Sequence, residues 1–81
     1  MNMGNVNTVQ DLVNVLSVLD CYADDFVTIK ISNHTLDLFY ETETDKFALF
    51  DDCFRTFETL DHMEKFIICW YFLGDWLNPL N

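Results

Sequence analysis

From Val27 the chain alternates. Val27, Ile29 and Ile31 are apolar, while Thr28, Lys30 and Ser32 between them are polar or charged. A period of two buries one face of a strand and leaves the other wet. Asn33-His34 reads as a tight turn, because both residues tolerate a positive φ better than most. Beyond it Leu36, Leu38 and Tyr40 point one way, and Asp37, Phe39 and Glu41 the other. Glu41-Thr42-Glu43-Thr44-Asp45 makes a charged connection, and Lys46 to Phe50 supplies a third strand. Strands joined by such short links pair as an antiparallel meander.

Helical signals flank the meander. Thr8-Val9-Gln10-Asp11 reads as a capping box, with Thr8 at the N-cap and Asp11 reaching back. Val9, Leu12, Val13, Leu16 and Leu19 then recur at helical spacing, and Ala23-Asp24-Asp25 breaks the pattern near Tyr22. After the sheet, Asp51-Asp52 places acids where a helix N-terminus favours them, so Cys53 to Glu58 is expected to be a short helix. A second start signal stands at Asp61. From there Met63, Phe66, Ile67, Trp70 and Leu73 form a stripe that Gly74 stops. The expected fold is α+β: a helix, a three-stranded antiparallel sheet and one or two C-terminal helices (αβββα or αβββαα). It forms a single small domain over residues 1–81, with residues 1–7 disordered.

Charge is the second constraint. Fourteen carboxylates face four basic side chains, a net charge of −10 on 81 residues that are 51% hydrophobic and 16% aromatic. Disordered acidic chains lack such aromatic content, so this chain folds and carries its acids outside. Such a coat repels nucleic acid and anionic membranes, and attracts proteins that bind nucleic acid. Direct nucleic-acid and membrane partners are therefore excluded. The N-terminus lacks a basic region followed by an apolar one, and Phe66 to Leu73 is too short to span a bilayer. Cys21, Cys53 and Cys69 are odd in number and widely spaced, as expected of free, buried thiols in a reducing cytosol. The expected location is cytoplasmic.

Enzymatic signals are missing. His34 in a turn and His62 in a first helical turn read as exposed polar residues. Neither Ser17 nor Ser32 sits in a nucleophile elbow, and two glycines cannot form a phosphate-cradling loop. Cys53 beside Asp51 and Asp52 is the reverse of an activated thiolate. Glu41, Glu43 and Asp45 follow the rhythm of a calcium loop, but Lys46 stands where that loop needs glycine. No metal, cofactor or catalytic residue is expected.

The same acids read as a charge array. In an extended chain alternate residues lie about 6.6–7 Å apart, so Glu41, Glu43 and Asp45 would line up like successive phosphates. Asp24, Asp25, Asp51 and Asp52 at element junctions, and Asp37 between them, would extend the array. The plainer reading is a coat that keeps a sticky domain soluble. A short acidic chain in this element order resembles the small anti-CRISPR proteins of phages and mobile elements that imitate DNA. The resemblance rests on element order from about Thr8 to Leu77 and on composition. It implies an inhibitor in a host cytosol, with Asp37, Glu41, Glu43, Asp45, Asp51 and Asp52 opposing arginines and lysines of an effector nuclease. Other phage DNA mimics, directed at restriction enzymes or other DNA-binding proteins, fit equally well.

The C-terminal helix departs from that pattern. Ile68, Cys69, Tyr71 and Phe72 are apolar as well, so the helix is apolar all round and must be covered all round. Helix and sheet would wrap it, or Tyr71, Phe72, Trp76 and Leu77 would form a partner groove or homodimer contact. The second case makes the chain an interaction module, adaptor or antitoxin-like protein.

Overall fold

Alternation around Val27 seeds the sheet, but the sheet extends further than the pattern. The computed structural model describes residues 1–22 and 24–72. In chain order its elements are β1 (Asn2–Asn5), α1 (Val9–Leu16), β2 (Val27–Ile31), β3 (His34–Glu41), β4 (Lys46–Phe50), β5 (Phe54–Phe57) and α2 (Leu60–Ile67). A 3₁₀ turn covers Leu19–Tyr22 and a π-helical turn covers Ile68–Phe72. The expected three-stranded antiparallel sheet is thus a five-stranded mixed one, ordered β1-β2-β3-β4-β5. Strand β1 runs parallel to β2, and the remaining neighbours pair antiparallel.

Both additional strands lie where side-chain pattern carries little signal. Residues 1–7, expected to be disordered, contain β1. Its sequence Asn-Met-Gly-Asn has no apolar alternation, and only Met3 is half-buried. Backbone bonds hold it: the Thr28 N–H donates to the Met1 carbonyl at 2.7 Å and the Val6 N–H to the Lys30 carbonyl at 2.8 Å. Gly4 absorbs an irregularity in the pairing at φ 79°, a conformation that costs glycine little. Strand β5 replaces the helix expected over Cys53 to Glu58. The Asp51 carboxylate accepts the Cys53 N–H at 2.8 Å, which favours a turn over a helical start, and β5 then pairs along β4.

Helix α1 begins as expected. The Asp11 N–H donates to the Thr8 hydroxyl at 3.0 Å and the Asp11 carboxylate accepts the Thr8 N–H at 3.2 Å, completing the capping box. The helix is shorter than its apolar stripe, and Leu19 is carried into the core by the 3₁₀ turn. Val9 is exposed and Val15 is buried in its place. Helix α2 starts before the expected signal at Asp61, with Thr59 as N-cap. The π-helical winding then inserts an extra residue into the turn. As a result Tyr71 (7% exposed) follows Met63 and Ile67 inward, while Trp70 is 59% exposed. The expected helix stop at Gly74 lies outside the described residues.

One layer of helices covers one face of the sheet. Leu12, Val15 and Leu16 of α1, Met63 and Ile67 of α2, and the inward residues of β2, β3 and β4 share a single core. Val27, Ile29, Ile31, Leu36, Leu38 and Leu49 are those inward residues. The opposite face of β2–β5 has no covering element among the described residues. Turns differ from expectation too: Ser32, not Asn33, takes the positive φ (56°), and His34 is the first residue of β3. All three cysteines are free and exposed, not buried; each sits in a turn or at a helix surface. No described helix is long and apolar enough to cross a membrane.

Candidate functional site

Asp24 organises an acidic part of the surface. It precedes β2 with φ 65°, and its N–H donates to the Tyr40 carbonyl at 2.9 Å. Its carboxylate accepts two bonds from the β3–β4 connection, the Thr42 N–H at 3.1 Å and the Thr42 hydroxyl at 2.6 Å. The hydroxyl first and the N–H second stabilise the charged form and hold the carboxyl below its usual range. One side chain therefore ties together two loops that each carry acids.

The tie puts Asp24, Asp25, Glu41, Glu43 and Asp45 at one end of the sheet. Asp25, Glu43 and Asp45 are exposed and Glu41 is half-buried. Glu41 accepts the Thr44 hydroxyl at 2.6 Å, and Asp45 accepts the Tyr40 hydroxyl. These bonds correct the expected line of carboxylates. Only Glu41 belongs to a strand, because Asp45 turns the chain at φ 55°. The acids form a compact cluster, not an extended ladder. At the same end Lys46 pairs with Glu58 at 3.3 Å, which offsets its charge.

The other expected acids are elsewhere. Asp37 lies on the uncovered face, where its carboxylate accepts the Thr28 hydroxyl at 2.6 Å. Asp51 and Asp52 occupy the β4–β5 turn at the far end of the sheet. Asp52 is exposed, but Asp51 is engaged inside the chain. Arg55 contacts it at 2.7 Å and the Tyr71 hydroxyl donates to it. Desolvation raises its carboxyl, yet the bonds from Tyr71 and the Cys53 N–H, with the Arg55 charge, outweigh burial and leave it below the usual value. Burial and the Asp51 acceptor push the Tyr71 phenol well above its usual value of 10.

Of the expected apolar contacts, Tyr71 is a core residue and stacks edge-on to His34 at 5.1 Å between ring centres. Phe72 packs against the same core. Trp76 and Leu77 lie outside the described residues. What α2 and its extension leave outward is Trp70, stacked on Phe66 at 5.7 Å, with Phe66 in turn against Phe57 and under Arg55. Among the described residues no set of three His, Cys, Asp or Glu side chains converges to hold a metal ion.

Residues that pattern reading passed over are the clasp partner Thr42 and the outward phenylalanines Phe26, Phe50 and Phe54. Eighteen residues separate Asp24 from Thr42, and no spacing rule joins them. The phenylalanines did carry a signal. Continued across the hairpins, the alternation places them on the same face as Phe39. No protein-family model matches the chain, and no curated protein or solved structure matches it either.

Proposed function

We propose that this protein is a non-enzymatic inhibitor whose acidic end occupies the nucleic-acid-binding groove of a basic protein in the cytosol. A host defence nuclease, such as a CRISPR effector, is the class of target that its composition suits. The observation that supports this reading is the Asp24–Thr42 clasp. It holds the acids of two loops together, with Lys46 turned to Glu58, so their fields add at one end of the sheet. A groove lined with lysine and arginine would be steered toward that end and held by it, with strong dependence on salt. The observed element order differs from that of the small DNA-mimicking inhibitors, so the reading stands on charge placement and composition.

The test is competition. The protein is titrated into a nuclease–duplex complex recovered from a bacterial lysate on immobilised protein. Displacement of DNA at about 50 mM salt, weakening at least tenfold by about 300 mM, is the expected result. Displacement that ignores salt, or a Glu41→Gln/Glu43→Gln/Asp45→Asn variant as potent as the parent, overturns the reading. A second reading, an interaction module acting through its C-terminal helix, is favoured by the exposure of Trp70. In that case Trp70→Ala abolishes partner capture at any salt.

A further inference from the structure

The side of the sheet that no described element covers is aromatic. Antiparallel registers place Asp37, Phe50 and Phe54 in one cross-strand row, and Phe39, Ala48 and Thr56 in the next. Phe26 extends the second row, its ring edge-on to Phe39 at 4.9 Å. Phe26, Phe50 and Phe54 are 53%, 47% and 59% exposed. Exposed aromatic rings gathered on one face mark a binding surface more often than a solvent face. Beside Phe54 the surface dips. A groove of about 250 Å³ is lined by Glu41, Thr44, Lys46, Ala48, Phe54 and Thr56, with Ala48 sunk to 2% exposure yet apart from the core.

Charge selects the occupant. Asp37 sits in the middle of the face, Glu41 lines the groove, and the acidic cluster adjoins it; Lys46, which also lines the groove, is paired with Glu58 at 3.3 Å. A second copy would bring a net charge of −10 against −10 and desolvate Asp37 of both copies against an equally acidic face. Nucleic acid and anionic lipid are repelled by the same field. An arginine side chain meets every requirement, because its planar guanidinium stacks on a phenyl ring while its donors reach a carboxylate.

We infer that the open face of β2–β5 is a docking surface for an arginine-rich protein segment, with guanidinium groups stacked on Phe39, Phe50 and Phe54 and paired with Asp37 and Glu41. This deepens the inhibitor reading and rests on it only for the sign of the partner's charge. Lysine offers the same charge but a compact ammonium without a stacking plane, so the face distinguishes the two cations where the acidic cluster does not.

The probes are a hexa-arginine and a hexa-lysine peptide, titrated into the labelled full chain and followed by amide chemical shifts. Hexa-arginine is expected to bind about fivefold tighter, the order of one stacked guanidinium. Its shifts should centre on Phe39, Ala48, Phe50, Phe54 and Thr56. Phe50→Ser/Phe54→Ser should erase the preference without changing the melting temperature, and Phe54→Ser alone should reduce that preference. The Glu43→Gln/Asp45→Asn variant, which leaves Asp37 and Glu41 in place, should weaken both peptides; if it weakens neither while the arginine preference persists, the acidic-end reading fails and the docking face stands. Equal affinity of the two peptides, or shifts confined to residues 42–45, overturns the inference. So does a parent dimer that Phe50→Ser/Phe54→Ser dissociates in sedimentation, since a second copy would then cover the face.

Discussion

Asp24 accepts both the backbone N–H and the hydroxyl of Thr42, 18 positions further along the sequence. The pair closes the loop before β2 onto the β3–β4 turn, and that closure brings Asp24 and Asp25 beside Glu41, Glu43 and Asp45. Thr42→Val keeps the shape and removes the hydroxyl. The Thr42 amide should then lose protection in hydrogen exchange, with β2–β4 core amides unchanged. Affinity for a basic partner should fall although no charge has been removed. Unchanged exchange at Thr42 would show that the clasp does not hold the loops.

Asp51 and Tyr71 form the corresponding link at the opposite end. Tyr71→Phe deletes the donor but leaves the ring in place, with an expected cost of about 1–2 kcal/mol in urea unfolding. Asp51→Ala should cost more, because Arg55 and the Cys53 N–H lose their acceptor as well. A cost for Tyr71→Phe equal to or above that for Asp51→Ala would contradict this ordering.

Both links make stability depend on pH. The Asp24 and Asp51 carboxyls are depressed in the fold, so their contribution is complete above the ordinary value of 3.8. It is lost as pH falls below that value through the folded pKa. The Tyr71 phenol is raised, so its contribution is complete below 10 and is lost as pH climbs beyond it. The melting temperature should therefore decline on the alkaline side above pH 10, and Tyr71→Phe should remove much of that decline. An alkaline limb identical in Tyr71→Phe would assign it to other groups.

Core and open face should respond differently to truncation. Leu38, fully buried between β2 and β4, should cost about 2–5 kcal/mol as Leu38→Ala. Phe54, on the uncovered face, should stay within about 0.5 kcal/mol as Phe54→Ser. A large loss at Phe54 would mean that the ring supports the fold.

Strand β1 protects an edge. Removing residues 1–5 would expose the backbone of β2 along Thr28–Lys30, and a free edge templates pairing with other chains. The shortened chain should self-associate at concentrations where the parent does not, as light scattering would report. A monomeric, equally stable product would show that β1 is dispensable.

Much of the centre was legible from side-chain order alone. Alternation located β2, β3 and β4, and separated Leu36 and Leu38 from Asp37 and Phe39, because a strand's two faces meet different solvents. Thr8 and Asp11 announced the start of α1, since a capping box is made by neighbours three residues apart. The acid load showed in composition, and the sign of the proposed partner's charge follows from it.

Tertiary structure decided what depends on partners remote in the chain. Strand β1 is held by backbone hydrogen bonds to β2, which are nearly indifferent to whether the side chains read Asn-Met-Gly-Asn. Strand β5 follows from the Asp51 turn and the free edge of β4, while the same acids read locally as a helix start. The π-helical winding selects Tyr71 over Trp70 for the core because Asp51 and His34 wait there. Glu41, Glu43 and Asp45 curl into a cluster instead of a ladder because Asp45 takes a left-handed turn and Tyr40 and Thr44 bind the carboxylates. Local pattern specifies the solvent a residue prefers; only the assembled sheet specifies which distant residues share it.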